Sequence, residues 1–316
     1  MKINYLKYVE VNPVKWDKCI NTSFNGVIYA YSWYLNIVCD EWDALVLDDY
    51  KAVMPLTHKK KFGLNYLLQP FFTQQLGVFS TEKLSSDLVE EFLKHIPRKY
   101  LFVEINLNIF NKLKPVQGLK YDYYPTHQLD LINSYELIYK SYSTNTQRNL
   151  KEAKAKKVSV INSLTINEFV DFVRQNLKSK LTLFSENEYT TLRMLCSMLI
   201  RYKAGEMYAA YTSENELCAV SLFAYAHNKS IYLMGASSVE GFESKAMFLI
   251  IDYFIQKNSE HNSTLDFEGS RIEGIARFYK GFGAREVNYP VVKRNAFPLF
   301  FNLARKITAK LKANKS

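Results

Sequence analysis

The strongest local motif in the chain is Ala276-Arg-Phe-Tyr279-Lys-Gly-Phe-Gly283, a helical stretch closed by glycine and followed by a strand-like run. Just upstream, Glu268 ends a short apolar strand in Leu265-Asp-Phe-Glu-Gly269. A phenol and a carboxyl are groups that can give and take a proton near neutral pH when their surroundings tune them. Both also have structural uses. Tyr279 is one of 23 tyrosines and fits a core, and Glu268 fits an ion pair with Arg271 or Arg277. Asp266, on the same short strand, is read as pointing to the opposite face. The other reactive side chains are scattered. His58, His95, His127, His227 and His261 are isolated, so neither metal-ligand spacing nor a Ser-His-Asp arrangement emerges, and no metal is expected. Cys19, Cys39, Cys196 and Cys218 form no C-x-x-C pair and read as reduced thiols.

The elements that must position these groups lie in the second half. Thr144-x-x-Gln147 has the pattern of a capping box and opens a basic helix, Arg148 to Lys157, beside Tyr139 and Tyr142. Its basic face suits either solvent or an RNA backbone, and the two tyrosines suit packing or base stacking. A strand at Val158 to Ile161 and helices at Ile166 to Leu177 and Glu188 to Tyr202 precede a three-strand meander: Glu206 to Tyr211, Leu217 to Ala226 and Ser230 to Ala236. Ser244 to Gln256 is apolar nearly all round and predicts a helix covered on more than one side. After the strand Ser263 to Phe267, Ser270-x-x-Glu273 reads as a second capping box for a helix over Ile272 to Gly281. Two closing strands are expected within Glu286 to Val292. Phe297 to Lys312 is an amphipathic basic segment, expected to pack as a helix on the second domain or to lie on a membrane surface.

The first half alternates short apolar runs with turns. A helix is expected to start at Tyr31, a strand pair at Ala44 to Leu47 and Ala52 to Leu56, a helix at Asp87 to His95, a buried strand at Tyr100 to Ile105, and a further strand reaching Leu131. Gln69-Pro-Phe-Phe-Thr-Gln-Gln-Leu-Gly77 is unusual for its glutamines. Gln69, Phe71, Gln74 and Gln75 are candidates to line an acceptor cleft, or to form a turn with packed phenylalanines. The halves also share G-x-[KR]-x-x-x-Y-P: Gly118 to Pro125 and Gly283 to Pro290, offset by 165 residues. Each copy follows a strand carrying an acid, Glu104 or Glu268. Duplication is the reading adopted, with domains at 1–135 and 136–296 and a terminal segment at 297–316.

The 276–283 motif resembles the A-x-x-[FL]-Y-x-x-x-G pattern of GNAT-superfamily acyltransferases. The duplicated halves, Thr146-Gln-Arg-Asn-Leu-Lys-Glu-Ala-Lys154 and Leu265 to Gly269 are similar to FemAB-like proteins, which carry two GNAT-like domains in one chain. The resemblance implies an α+β fold: tandem domains, each a mostly antiparallel twisted sheet flanked by helices. It implies direct acyl transfer to an amine, with Tyr279 as general acid, Glu268 as base, and acyl-CoA as the first donor considered. The donor would lie along the strand carrying Met234, Gly235, Ala236 and Ser237, with Gly235 allowing close approach. Its pyrophosphate would sit at Gly241, Ser244, Lys245 and Ala246, where a helix N-terminus favours anions. This loop departs from the family pattern, with one glycine and two carboxylates, Glu240 and Glu243. Many FemAB-like proteins take an aminoacyl group from charged tRNA instead, a role for which Arg148 is a candidate contact. The long helical arm of the cell-wall members is missing.

The chain of 316 residues is 48% hydrophobic and 15% aromatic, which excludes global disorder. Its net charge is +10, split as +1 over residues 1–135 and +9 over the rest. An anionic partner is therefore expected for the second half. That leaves a rival class, a non-catalytic scaffold binding RNA or an anionic polymer. No apolar run approaches the roughly 18 residues of a membrane span, and a cytoplasmic protein is expected.

Overall fold

A computed structural model describes residues 2–61, 63–177, 184–269 and 271–296. In the first half, strands β1 (Ile3–Leu6), β2 (Trp42–Leu47), β3 (Ala52–Lys61) and β4 (Leu64–Leu68) form an antiparallel run, β5 (Phe79–Ser80) pairs with β3, and β6 (Tyr100–Asn106) joins β4 in parallel. The half closes with β7 (Lys120–Asp130). In the second half, β8 (Ser159–Ile161), β9 (Gly205–Tyr211), β10 (Leu217–Ala226) and β11 (Lys229–Ser237) are again antiparallel, β12 (Thr264–Asp266) joins β11 in parallel, and β13 (Arg285–Asn295) closes. The meander thus lies where the spacing of the three strand-like runs placed it. The expected pair of closing strands is a single strand, because Pro290 in its middle faces Tyr123 of β7 without breaking the ladder.

The closing strands are exchanged. The sheet order is β1-β2-β3-β4-β6-β13-β7-β12-β11-β10-β9-β8, so β13 lies between β6 and β7 of the first half, and β7 lies beside β12 of the second. Antiparallel pairing sets Tyr124 opposite Tyr289. These are the two tyrosines of the repeated motif, so the copies meet face to face on a pseudo-twofold axis. The register also corrects one correspondence. Glu104 lies opposite Lys293, and Asp266 lies opposite Gln128, the repeat counterpart of Lys293. The counterpart of Glu104 is therefore Asp266, and Glu268 lies beyond the strand.

Three apolar clusters hold the sheet. Helices α1 (Pro13–Thr22) and α2 (Ser32–Val38) share one with α6 (Ile166–Leu177) and α7 (Glu186–Arg201), through Trp16, Tyr34, Phe169 and Leu195, so this core joins the two halves. The amphipathic α3 (Ser86–Lys94) buries Val89, Phe92 and Leu93 under the first half. Under the second, α5 (Thr144–Ala155) packs on α9 (Ala246–Asn258), where Ile250, Ile251, Phe254 and Ile255 are buried. Asp252 is buried there too, and Tyr135 of the short α4 (Tyr135–Lys140) donates to its carboxylate at 2.9 Å.

Both expected capping boxes change. Ser143, one residue before Thr144, caps α5 by accepting the Thr146 N–H at 3.2 Å, while Gln147 donates to the Tyr139 and Tyr142 carbonyls. The last helix, α10 (Glu273–Lys280), starts after Ile272, which supplies no side-chain cap, and Ser270 lies outside the described residues. One short helix, α8 (Val239–Glu243), stands where a phosphate loop was expected. All four cysteines are free and buried. Among the described residues no helix is long and apolar enough to cross a membrane. The basic segment 297–316 lies outside the described residues.

Candidate active site

Parallel pairing of β11 with β12 lasts only from Lys229 to Ile231. Beyond it β11 continues to Ser237, held by β10 along one edge. A register shift between Leu222 and Phe223 bulges β11 at Leu233, which re-aims the side chains that follow. On the other side the chain leaves β12 through Phe267 and enters left-handed backbone at Glu268 (φ 59°) and Gly269 (φ 41°). A Cβ at position 269 would lie 2.0 Å from the Pro125 carbonyl oxygen, so glycine alone lets the chain pass under β7. The diverging strands enclose a cavity of about 650 Å³. Tyr232 to Ser237 form one wall and Phe267 to Gly269 the other, with Gly274, Ile275, Phe278 and Tyr279 of α10 alongside. None of the α10 side chains is fully buried.

Both proton-transfer candidates line this slot. Burial pushes the Glu268 carboxyl from its ordinary 4.5 up to about 8, opposed by a hydrogen bond from Tyr29 and reinforced by the charge of Asp266. The Tyr29 hydroxyl donates to Oε1 of Glu268, reaching across from a 3-10 turn (Ile28–Ala30) of the first half. Tyr29 is packed edge to face on Tyr34, whose hydroxyl donates to the Phe72 carbonyl. Asp266 is not turned away from Glu268. Glu268 lies past the end of β12 in left-handed backbone, where strand alternation no longer holds, and Oδ1 of Asp266 accepts the Glu268 N–H at 3.0 Å and the Thr126 hydroxyl, while Oδ2 accepts from Gln128 Nε2. Tyr279 stacks on Phe267 at 4.9 Å between centroids and meets Tyr232 edge on. Burial, then the charges of Glu268 and Asp266, hold its hydroxyl well above the ordinary phenol range, so it is protonated and able to donate.

Of the residues expected to hold a donor, Met234, Gly235, Ala236, Ser237, Gly241 and Lys245 line the slot, and Ser244 and Ala246 are buried without lining it. The space above Gly235 is taken by the Tyr232 hydroxyl, 1.7 Å from where a Cβ would sit, so this glycine accommodates a tyrosine of its own strand. Gly241 packs α8 against β10, its missing Cβ 2.0 Å from the Cys218 carbonyl. Three residues of the expected pyrophosphate cradle, Gly241, Ser244 and Lys245, already have their N–H groups engaged. The N–H of Gly241 donates to Ser238 Oγ, that of Phe242 to the Ser238 carbonyl, that of Ser244 to Glu240 and that of Lys245 to Phe242.

The glutamine-rich segment does not line this slot; its Pro70, Phe71 and Phe72 line a separate cavity of about 120 Å³ with Asn187, Glu188 and Thr191 of α7. Gln69 donates to the Thr73 carbonyl and accepts the Asn106 N–H, and Gln75 donates to Gln74 and accepts the Ile109 N–H. Phe71 packs edge to face on Phe184. Both polar groups of Gln69 and the carbonyl oxygen of Gln75 hold backbone, and the Gln75 amide holds the Gln74 side chain. Arg148 stands on the exposed face of α5, bonded to Asn145, and the lowered Glu152 carboxyl responds first to Lys156, then to Lys245 and Arg148. Lys156 donates to the Glu243 carbonyl at 2.7 Å, so this basic face adjoins α8 beside the slot. Tyr29 was missed by sequence reasoning. It sits in an aromatic run, Tyr29-Ala-Tyr-Ser-Trp-Tyr34, with no spacing that marks one ring, and its partner is 239 residues away.

No family model matches the chain, and no curated protein matches it by sequence. Solved structures do match in shape. FemX superposes with a TM-score of 0.66 at 13% identity, over 92% of this chain and 97% of that one. A conserved protein of unknown function from Bacteroides thetaiotaomicron gives 0.58 at 10% identity, over 90% and 97%. L-PGS from Bacillus licheniformis gives 0.55 at 12%, over 93% and 95%. The chain therefore has the FemAB-like fold, in which two GNAT-like domains are joined in one polypeptide.

Proposed function

We propose that this protein is an acyltransferase that moves an acyl group directly onto an amine, and that its donor is an aminoacyl ester of tRNA. The observation that carries the choice of donor is the engaged backbone of 238–245. With the N–H groups of Gly241, Phe242, Ser244 and Lys245 bonded within and around α8, a pyrophosphate would gain little there and would meet Glu240 and Glu243. A charged tRNA needs only its acyl end in the slot. Its phosphates would lie outside, where the +9 of the second half and the basic face of α5 offer counter-charge. The likeness to FemX supports the same reading, since FemAB-like proteins commonly use such donors.

In this mechanism the amine nitrogen attacks the ester carbonyl, the C–N bond forms, and the C–O bond to the ribose oxygen breaks. Glu268 takes the proton leaving nitrogen, and a carboxyl titrating near 8 is matched to that task at neutral pH. Tyr279 protonates the departing oxygen, and return of the Glu268 proton to the tyrosinate restores both groups. The slot supplies positioning of the two reactants.

An acyl-CoA donor is the second reading, favoured by the unpaired edge of β11 from Tyr232 to Ser237, which offers backbone groups to pantetheine amides. Labelled aminoacyl-tRNA and labelled acyl-CoA, each incubated with the protein and an amine, separate the two. Amide product from tRNA alone is expected. Product from acyl-CoA alone overturns the donor, and salt-sensitive tRNA binding with no product from either overturns the enzyme.

A further inference from the structure

A second cavity, of about 610 Å³, opens on the pseudo-twofold axis between the halves, lined by Tyr124, Pro125, Gly269, Arg271, Ile272 and Tyr289. It shares Gly269 with the slot, so the left-handed turn at Glu268 and Gly269 is the partition between the two. Its wall is the pair of repeat tyrosines, Tyr124 and Tyr289, edge to face at 6.3 Å. Its cation is Arg271, exposed, with the guanidinium 4.4 Å above the Tyr124 ring.

The charge on Arg271 stands apart from its neighbours. Lys293 is neutralised by Asp122 and Glu104, Arg285 by Asp130, Lys280 by Glu286 and Arg277 by Glu273. Among the described residues Arg271 has no carboxylate within ion-pair distance, and no acidic side chain lines the cavity. A guanidinium lying over a ring keeps its N–H edge free for two parallel hydrogen bonds to a carboxylate or phosphate. An amine reaching Glu268 from this side would carry the rest of its structure past Tyr124 and Arg271.

We infer that this cavity is the acceptor site and that Arg271 binds an anionic group, carboxylate or phosphate, carried by the amine. The inference rests on the acyl-transfer reading for the role of the cavity, but anion recognition by Arg271 is measurable without transfer. The test compares β-alanine and O-phosphoethanolamine with ethanolamine, by ligand-observed NMR titration of the full chain and by kcat/KM with aminoacyl-tRNA. Wild type is expected to prefer an anionic amine about tenfold or more, by a contact of charge-assisted strength. Arg271→Gln should bring that ratio to about one at unchanged Tm, and Arg277→Gln, outside the cavity, should keep it. The better of the two anionic probes identifies carboxylate or phosphate. No preference in wild type, or a preference that survives in Arg271→Gln, overturns the site. Preference in binding without transfer from either donor leaves the anion site standing and removes the transfer reading, whereas transfer to all three amines at equal rates does the reverse.

Discussion

The two halves contain the same junction, a parallel strand pair at the end of an antiparallel run, and treat it in opposite ways. In the first half, Asn65 to Leu68 pair with Tyr100 to Glu104, and the residue after the strand, Gln69, accepts the Asn106 N–H at 3.1 Å. The chain then returns so that Leu76 bridges to Leu107 in parallel, its N–H on the Asn106 carbonyl, while Asn106 Nδ2 holds the Gln74 carbonyl. The seam is sewn shut. In the second half, pairing stops at Ile231 and Asp266, the chain turns under β7 at Gly269, and a cavity of about 650 Å³ remains. One ladder is closed and its copy leaves an open slot. What decides is whether the residues that follow the strand spend their hydrogen bonds across the seam.

The largest expected effect is at the open seam. Glu268→Gln should lower kcat by about 10² to 10⁴, the usual contribution of a general base, measured with saturating donor. It should also stabilise the fold. Glu268 titrates near 8 in the folded chain and near 4.5 when unfolded, so the folded state binds the extra proton in that window and loses stability as pH rises through it. The Tm advantage of the glutamine variant should therefore be small at pH 4.5 and grow up to pH 8. A constant difference across that range would show that Glu268 is not a buried, raised carboxyl.

Closing the open seam artificially comes next. Gly274 lines the slot with nothing within 4 Å of its missing Cβ, so Gly274→Phe has room to fold and should raise the donor KM about tenfold or more with little change in Tm. Unaltered kinetics would move the donor elsewhere. Tyr29→Phe should act more mildly. Loss of a hydrogen bond that favours the charged carboxylate shifts the Glu268 limb of the pH–kcat/KM profile upward by about one unit, with the high-pH plateau recovered. A uniform loss at every pH would instead mark Tyr29 as packing alone. Smallest for catalysis is the closed seam. Gln69→Leu strands the Asn106 N–H, and should cost about 1–3 kcal/mol in denaturant unfolding while kcat and KM stay within twofold. A large kinetic effect would return Gln69 to the acceptor cleft.

Much of this contrast was legible in the residues. The spacing of three strand-like runs placed the meander, residues 166–177 read as the helix α6, and the glycine to Tyr-Pro repeat pointed to duplication. Tyr279 and Glu268 stood out because they sit in short local motifs, and both line the slot. What escaped depended on contacts distant in sequence. Strand exchange is invisible to local pattern, since β7 reads as the same strand whichever half receives it. The bonds of Gln69 and Gln75 escaped because composition does not say which group a side-chain amide will take. Helix α8 was hidden because Val239-Glu-Gly-Phe-Glu is too short for a periodic signal, yet it engages the N–H groups on which the choice of donor turns.

The exchange of closing strands bears on when the protein can work. As the chain leaves the ribosome the first half can build β1 to β6, but the edge of β6 stays uncovered until Arg285 to Asn295 have been made. Tyr29 is synthesised early and waits 239 residues for Glu268. Pairing over such separations is slow to form and leaves strand edges exposed meanwhile. Glu268, the Tyr29 hydroxyl bonded to it and the insertion of β13 between β6 and β7 all wait on the last third of the chain.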